Sequence, residues 1–130
     1  MKIAIATQDL TRIDAHLGWA RHLMFFEVSA EGYRHLDTAS FTTTSPPGDH
    51  AKLEPRLAAL DGCALVFVAE AGPEGELGLG RRKVTVLRKF AGHPVADALD
   101  ALRDGLRDNP PAWLRRCEQN HRRRCVQNGD

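Results

Sequence analysis

The segment Cys63-Ala64-Leu65-Val66-Phe67-Val68-Ala69 is the most continuous apolar run in the chain. A strand with one face in water alternates apolar and polar residues, whereas a strand covered on both faces does not need to. The run therefore predicts a central strand buried on both sides. The rest of the chain must then supply neighbouring strands and covering helices.

Those elements are readable around it. Residues 1–7 alternate and carry β-branched side chains, which predicts a strand. Phe25-Phe26-Glu27-Val28 predicts a second, and Tyr33 to Phe41 a third after the turn Glu31-Gly32. Thr42 to Gly48, with its Pro46-Pro47-Gly48, reads as loop. Leu53, Leu57 and Leu60 recur at helical spacing before Gly62, which predicts a helix between Asp49 and Leu60. Pro55 either sits in its first turn or kinks a longer helix. Glu74-Gly75-Glu76-Leu77-Gly78-Leu79-Gly80 carries three glycines, each costing about 1 kcal/mol in a helix interior, so any helix here is expected to be short or poorly ordered. Val84 to Leu87 predicts a strand. Val95, Leu99, Leu102 and Leu106 mark a helix face with Pro94 in its first turn, ended by Asn109-Pro110-Pro111. A last helical segment is expected to begin near Ala112-Trp113-Leu114. The pattern predicts an α/β domain: a mixed five-stranded sheet with flanking helices over residues 1–114, followed by a basic tail, helical or disordered, at 115–130.

Composition narrows the function. A chain of 130 residues with a formal charge of +1 makes one domain that buries about two-thirds of its unfolded surface, and it presents no global electrostatic case for nucleic acid or an anionic membrane. No apolar run reaches the length of a membrane span or a signal-peptide core, so a cytoplasmic protein is expected. Three cysteines in such a chain favour thiols or metal ligands over a disulfide framework. Phosphate-cradling, dinucleotide-binding and nucleophile-elbow motifs are absent, and no Ser/His/Asp arrangement offers a nucleophile with its base. An enzyme is not expected.

Three places could carry chemistry. After the first strand, Asp9, Arg12, Asp14, His16 and Gly18 share one polar loop, where imidazole is a metal ligand at neutral pH and glycine admits close approach to the backbone. The alternative reading of His16 is a surface histidine in a turn. Cys63, at the head of the apolar run, is either a soft thiolate donor or a small packed core residue. In the tail, Cys117, His121 and Cys125 are four residues apart, so on a helix they would form one stripe of metal donors beside Arg122-Arg123-Arg124. The alternative there is a frayed, solvated terminus.

Met1-Lys2-Ile3-Ala4-Ile5-Ala6-Thr7 followed by Asp14-Ala15-His16-Leu17-Gly18, then Lys52 to Leu60 running into Gly62-Cys63-Ala64-Leu65-Val66, then Asn109-Pro110-Pro111-Ala112-Trp113-Leu114, resemble in order and spacing the NifX/NafY-type family of nitrogenase iron-molybdenum cofactor biosynthesis proteins. The resemblance covers roughly residues 1–116. It implies a ribonuclease H-like α/β/α domain without nuclease activity. It implies a carrier that binds an iron-sulfur precursor of the cofactor, or the cofactor itself, and passes it between assembly proteins. The family's Asp-x-His-Phe-Gly pattern places its favoured cofactor ligand on His16. Here Leu17 replaces the phenylalanine, and the glycine-rich residues 73–82 replace an alanine-rich helix.

Two functional readings follow. In the first, His16 ligates a carried cluster with Cys63 as second donor, and Asp14, Gly18 and the basic Arg12, Arg21 and Lys52 complete the surroundings. In the second, the chain binds no cluster and docks on an assembly partner through Trp19, Trp113 and the arginine-rich tail. A nuclease using Asp9 and Asp14 with magnesium ranks last. A monomer or weak dimer is expected, with no nucleic-acid or membrane partner.

Overall fold

The computed structural model describes residues 1–41, 50–108 and 114–115, and of residues 50–54 the backbone alone. Strands β1 (Lys2–Thr7), β2 (His22–Ser29), β3 (Gly32–Ser40), β4 (Leu65–Phe67) and β5 (Thr85–Leu87) form one mixed sheet in the order β3-β2-β1-β4-β5. β2 runs antiparallel to both β1 and β3, whereas β4 runs parallel to β1 and β5 parallel to β4. Among the described residues, helices α1 (His50–Ala59), α2 (Gly72–Arg81) and α3 (Val95–Arg107) and a 3-10 turn at Leu17–Trp19 accompany the sheet.

Side-chain alternation along the central strands builds two cores. Ile3 and Ile5 of β1 and Leu65 and Phe67 of β4 face α3, where they pack with Val95, Ala98, Leu99, Leu102 and Leu114. Ala4, Ala6 and Val66, with Val68 just beyond β4, face the other way and pack with Leu57 of α1, Leu60 just after it and Leu79 of α2. The small alanines of β1 let that helical layer approach the sheet closely. Burying each large aliphatic or aromatic side chain contributes about 1.5–3 kcal/mol, so the two layers pin β1 and β4 as the centre of the fold. The expected central strand is thus observed, shortened to Leu65–Phe67, with Val68 extending the ladder through a bond from its N–H to the Leu87 carbonyl (2.9 Å).

Pro55 lies inside α1 and points outward. The glycine-rich segment departs from expectation, because α2 is a full ten-residue helix. The physical reason is packing. A Cβ added at Gly78 would lie 2.6 Å from Leu57 Cδ1, so the missing side chain is what lets α2 settle against α1. Packing of the two helices at that point offsets the local cost of glycine. The expected loop at 42–48, the breaker Asn109-Pro110-Pro111, Trp113 and the Cys117/His121/Cys125 stripe lie outside the described residues.

Candidate functional site

The chain leaves β1 toward β2 on one side and leaves β4 toward α2 and β5 on the other. In open α/β sheets, the place where connections diverge in this way, beyond the carboxyl ends of the strands, is where ligands commonly bind. His16 reaches this point from the β1 side. Its backbone bridges Glu70, just beyond β4. The Leu17 N–H donates to the Glu70 carbonyl (2.8 Å), and the Ala69 N–H to the Ala15 carbonyl (3.0 Å).

The loop carrying His16 is held from several directions. On its far side, the Ile13 N–H donates to the His93 carbonyl (3.0 Å) and the Val95 N–H to the Thr11 carbonyl (2.9 Å). Within the loop, Asp9 Oδ1 accepts from the N–H groups of Thr11 (2.9 Å) and Arg12 (3.0 Å). These bonds, the Arg12 one foremost, hold its carboxyl below the usual range. Asp14 Oδ1 accepts from the Gln8 N–H (2.8 Å). The Gln8 amide spans the 3-10 turn, donating to the Trp19 carbonyl (3.0 Å) and accepting from the Arg21 N–H (3.0 Å). Beneath the turn, Arg56 is 1% exposed. It donates through Nε (3.0 Å) and Nη2 (2.6 Å) to the Ala20 carbonyl and lies over the Phe41 ring, 4.7 Å from its centroid. Burial lowers its pKa.

His16 caps the 3-10 turn. Its Nδ1 accepts from the Gly18 N–H (3.1 Å), and the half-buried ring lies 5.4 Å from the Trp19 ring, tilted by 31°. Trp19 itself is 42% exposed. The other ring nitrogen faces the start of α2. Gly72 has φ +74°, and a Cβ there would lie 3.3 Å from His16 Nε2. Only glycine combines that backbone conformation with that clearance. Next to it, the Glu70 carboxylate accepts from the Ala71 N–H (3.0 Å) and from Arg88 (3.2 Å), whose guanidinium also pairs with Glu76 (2.7 Å). The Ala71 bond and then the Arg88 bond hold Glu70 below the usual carboxylate range.

Of the residues singled out in the sequence, the structure brings His16, Gly18 and Asp14 together in one braced loop, with Gly18 buried and the Asp14 carboxylate engaged by the Gln8 backbone. Arg12 sits on the far side of that loop, where its backbone bridges Pro94. Cys63 is not brought to His16. It is buried among the α1 and α2 side chains at the amino-terminal end of β4, where the neighbouring Ala64 N–H bonds the Lys2 carbonyl, and the whole of β4 separates it from Glu70. Among the described residues, no three His, Cys, Asp or Glu side chains converge as a metal site, and no helix is long and apolar enough to cross a membrane. Gln8, Arg56, Glu70 and Gly72 carry no functional signal in the sequence alone. Gly72-Pro73, shortly after the apolar run, is the nearest to one, and it reads equally well as an ordinary turn.

The family model described as dinitrogenase iron-molybdenum cofactor matches residues 1–105. A protein named NifX from Herbaspirillum seropedicae is 35% identical over 127 residues, covering 97% of this chain and 87% of that protein. The protein of the same name from Rhodobacter capsulatus is 31% identical over 121 residues, covering 89% and 76%. In fold, the chain is similar to the crystal structure of PH0822, with a TM-score of 0.52 and 20% identity over 81% of this chain and 92% of the other. With a match that spans most of its length, the chain belongs to the dinitrogenase iron-molybdenum cofactor family.

Proposed function

We propose that this protein is a non-catalytic carrier in the biosynthesis of the nitrogenase iron-molybdenum cofactor. It holds an iron-sulfur precursor of that cofactor, or the cofactor itself, as cargo and passes it between assembly proteins. The observation that carries the reading is the position of His16: a braced side chain beyond the carboxyl ends of β1 and β4, whose Nε2 has no protein hydrogen-bond partner among the described residues. The family and the names of the relatives support the same class of cargo. Sheet order β3-β2-β1-β4-β5 with helices on both faces supports a ribonuclease H-like framework. The carboxylates Asp9 and Asp14, which a nuclease would aim at magnesium, are instead engaged by the loop's own backbone N–H groups.

A carrier must release what it binds. A contact through one imidazole, without a closed set of four protein donors of the kind that makes structural metal sites permanent, suits transfer. The test is anaerobic titration with isolated iron-molybdenum cofactor or its iron-sulfur precursor, followed by gel filtration and iron analysis of the protein peak. Stoichiometric iron that is lost in His16→Ala is the expected result. A peak free of iron favours the second reading, a module that docks on an assembly partner, for which the exposed Trp19 is an interface anchor.

A further inference from the structure

The chemistry of the His16 contact follows from its partner on the turn. A backbone N–H can only donate, so the 3.1 Å bond from Gly18 requires a lone pair on His16 Nδ1. Neutral imidazole carries a single ring proton, which is then on Nε2, the nitrogen facing Gly72. For Nε2 to offer a lone pair to a metal, the proton must move to Nδ1. There it would oppose the Gly18 N–H, donor against donor, and leave the N–H of a buried residue without an acceptor. Turning the ring over places a carbon where Nδ1 now accepts and orphans the same N–H. The Trp19 ring lies 5.4 Å from the imidazole, and Gly72 brings no side chain against Nε2.

We infer that His16 meets its cargo as a hydrogen-bond donor through Nε2–H, and that the acceptor is an anionic atom on the outside of the cargo, a sulfide sulfur or a carboxylate oxygen, not a metal. The inference rests on the carrier reading above. Such a contact adds charge-assisted strength and directionality, and it is broken on transfer without exchange of a metal-ligand bond.

Two measurements test it. In long-range 1H–15N correlation spectra of the cargo-free protein, His16 is expected to show an unprotonated Nδ1 and a protonated Nε2; the reverse assignment overturns the inference. The second compares His16→Gln with His16→Ala by anaerobic gel filtration with isolated iron-molybdenum cofactor, reading iron and molybdenum in the protein peak. Glutamine places an amide N–H donor near the position of Nε2 and is a poor metal ligand. His16→Ala is expected to weaken binding by about 10–100-fold, the loss typical of one charge-assisted hydrogen bond, while His16→Gln stays within about threefold of the unaltered protein. Binding in His16→Gln as weak as in His16→Ala overturns donation and leaves the carrier reading standing. Full binding in His16→Ala overturns the site and the donation with it. Thermal melts check that both variants fold, and if one does not, the nitrogen assignment on the unaltered protein decides.

Discussion

Gly72→Ala probes the fold and the site at one position. Its φ of +74° lies in the left-handed region, which costs an L-residue with a side chain about 1–2 kcal/mol. Stiffening of the unfolded chain by alanine offsets roughly 0.4–1 kcal/mol of that. The new Cβ would also lie 3.3 Å from His16 Nε2, so the imidazole must give by a few tenths of an ångström while tied to the Gly18 N–H. Together these predict a net loss of about 1–2 kcal/mol. With an unfolding entropy of about 2.1 cal/mol/K per residue, a chain of 130 residues loses about 4 °C per kcal/mol, so the melting temperature should fall by roughly 4–8 °C. Two controls separate the causes. Gly62 also has positive φ (+96°) but nothing within 4 Å, so Gly62→Ala should lose stability and keep cargo binding, whereas Gly72→Ala loses both. Gly80, in α2 with open space and ordinary φ, should gain about 0.5–1 kcal/mol on Gly80→Ala. An unchanged or raised melting temperature in Gly72→Ala would refute the backbone reasoning. Unchanged binding of isolated cofactor in that variant would refute the placement of Nε2 at the contact.

Gly78→Ala forces a Cβ to within 2.6 Å of Leu57 Cδ1; overpacking of about 1–3 kcal/mol outweighs a helix gain of about 1, and combining it with Leu57→Val should recover part of the loss in urea titrations. Additive effects of the two changes would show that α1 and α2 do not meet there. Arg56→Ala removes both donors from the Ala20 carbonyl and should cost at least about 1–3 kcal/mol by urea unfolding; a change under about 0.5 would mean the carbonyl finds another partner. Asp9 has a depressed folded pKa, so its contribution is present above the unfolded value and is lost as pH falls through the folded one. The acid limb of stability, measured as urea midpoint below about pH 4, should therefore be shallower in Asp9→Asn, and an identical slope would contradict the Asp9 bonds to Thr11 and Arg12.

Local pattern is enough to read most of the elements. β1, β3 and α3 stand within a residue or two of where alternation, the Glu31-Gly32 turn and the 95/99/102 periodicity put them, because their apolar faces are written in consecutive residues. β2 begins three residues earlier than Phe25, at His22, where pairing with Thr7 and Ser40 extends it beyond its apolar stretch. The full length of α2 is not legible because glycine's cost is local and its compensation is not: Leu57, which makes Gly78 favourable, lies on another helix. The loop at His16 is likewise visible as a polar, glycine-containing segment after a strand, but its partners are not.

By itself, then, the sequence determined the α/β class, a central strand buried on both faces, and a histidine in a loop at a strand end. These depend on the order of side chains along single segments. Tertiary structure alone decided that α2 is a full helix, that Cys63 packs at the opposite end of β4 from His16, that the His16 backbone pairs with Glu70, and that Gly72 lies against the imidazole. Each of these depends on which segments become neighbours, and that is set by the parallel pairing of β1 with β4, which joins residues as distant in the chain as Ile3 and Leu65 and which no local pattern encodes.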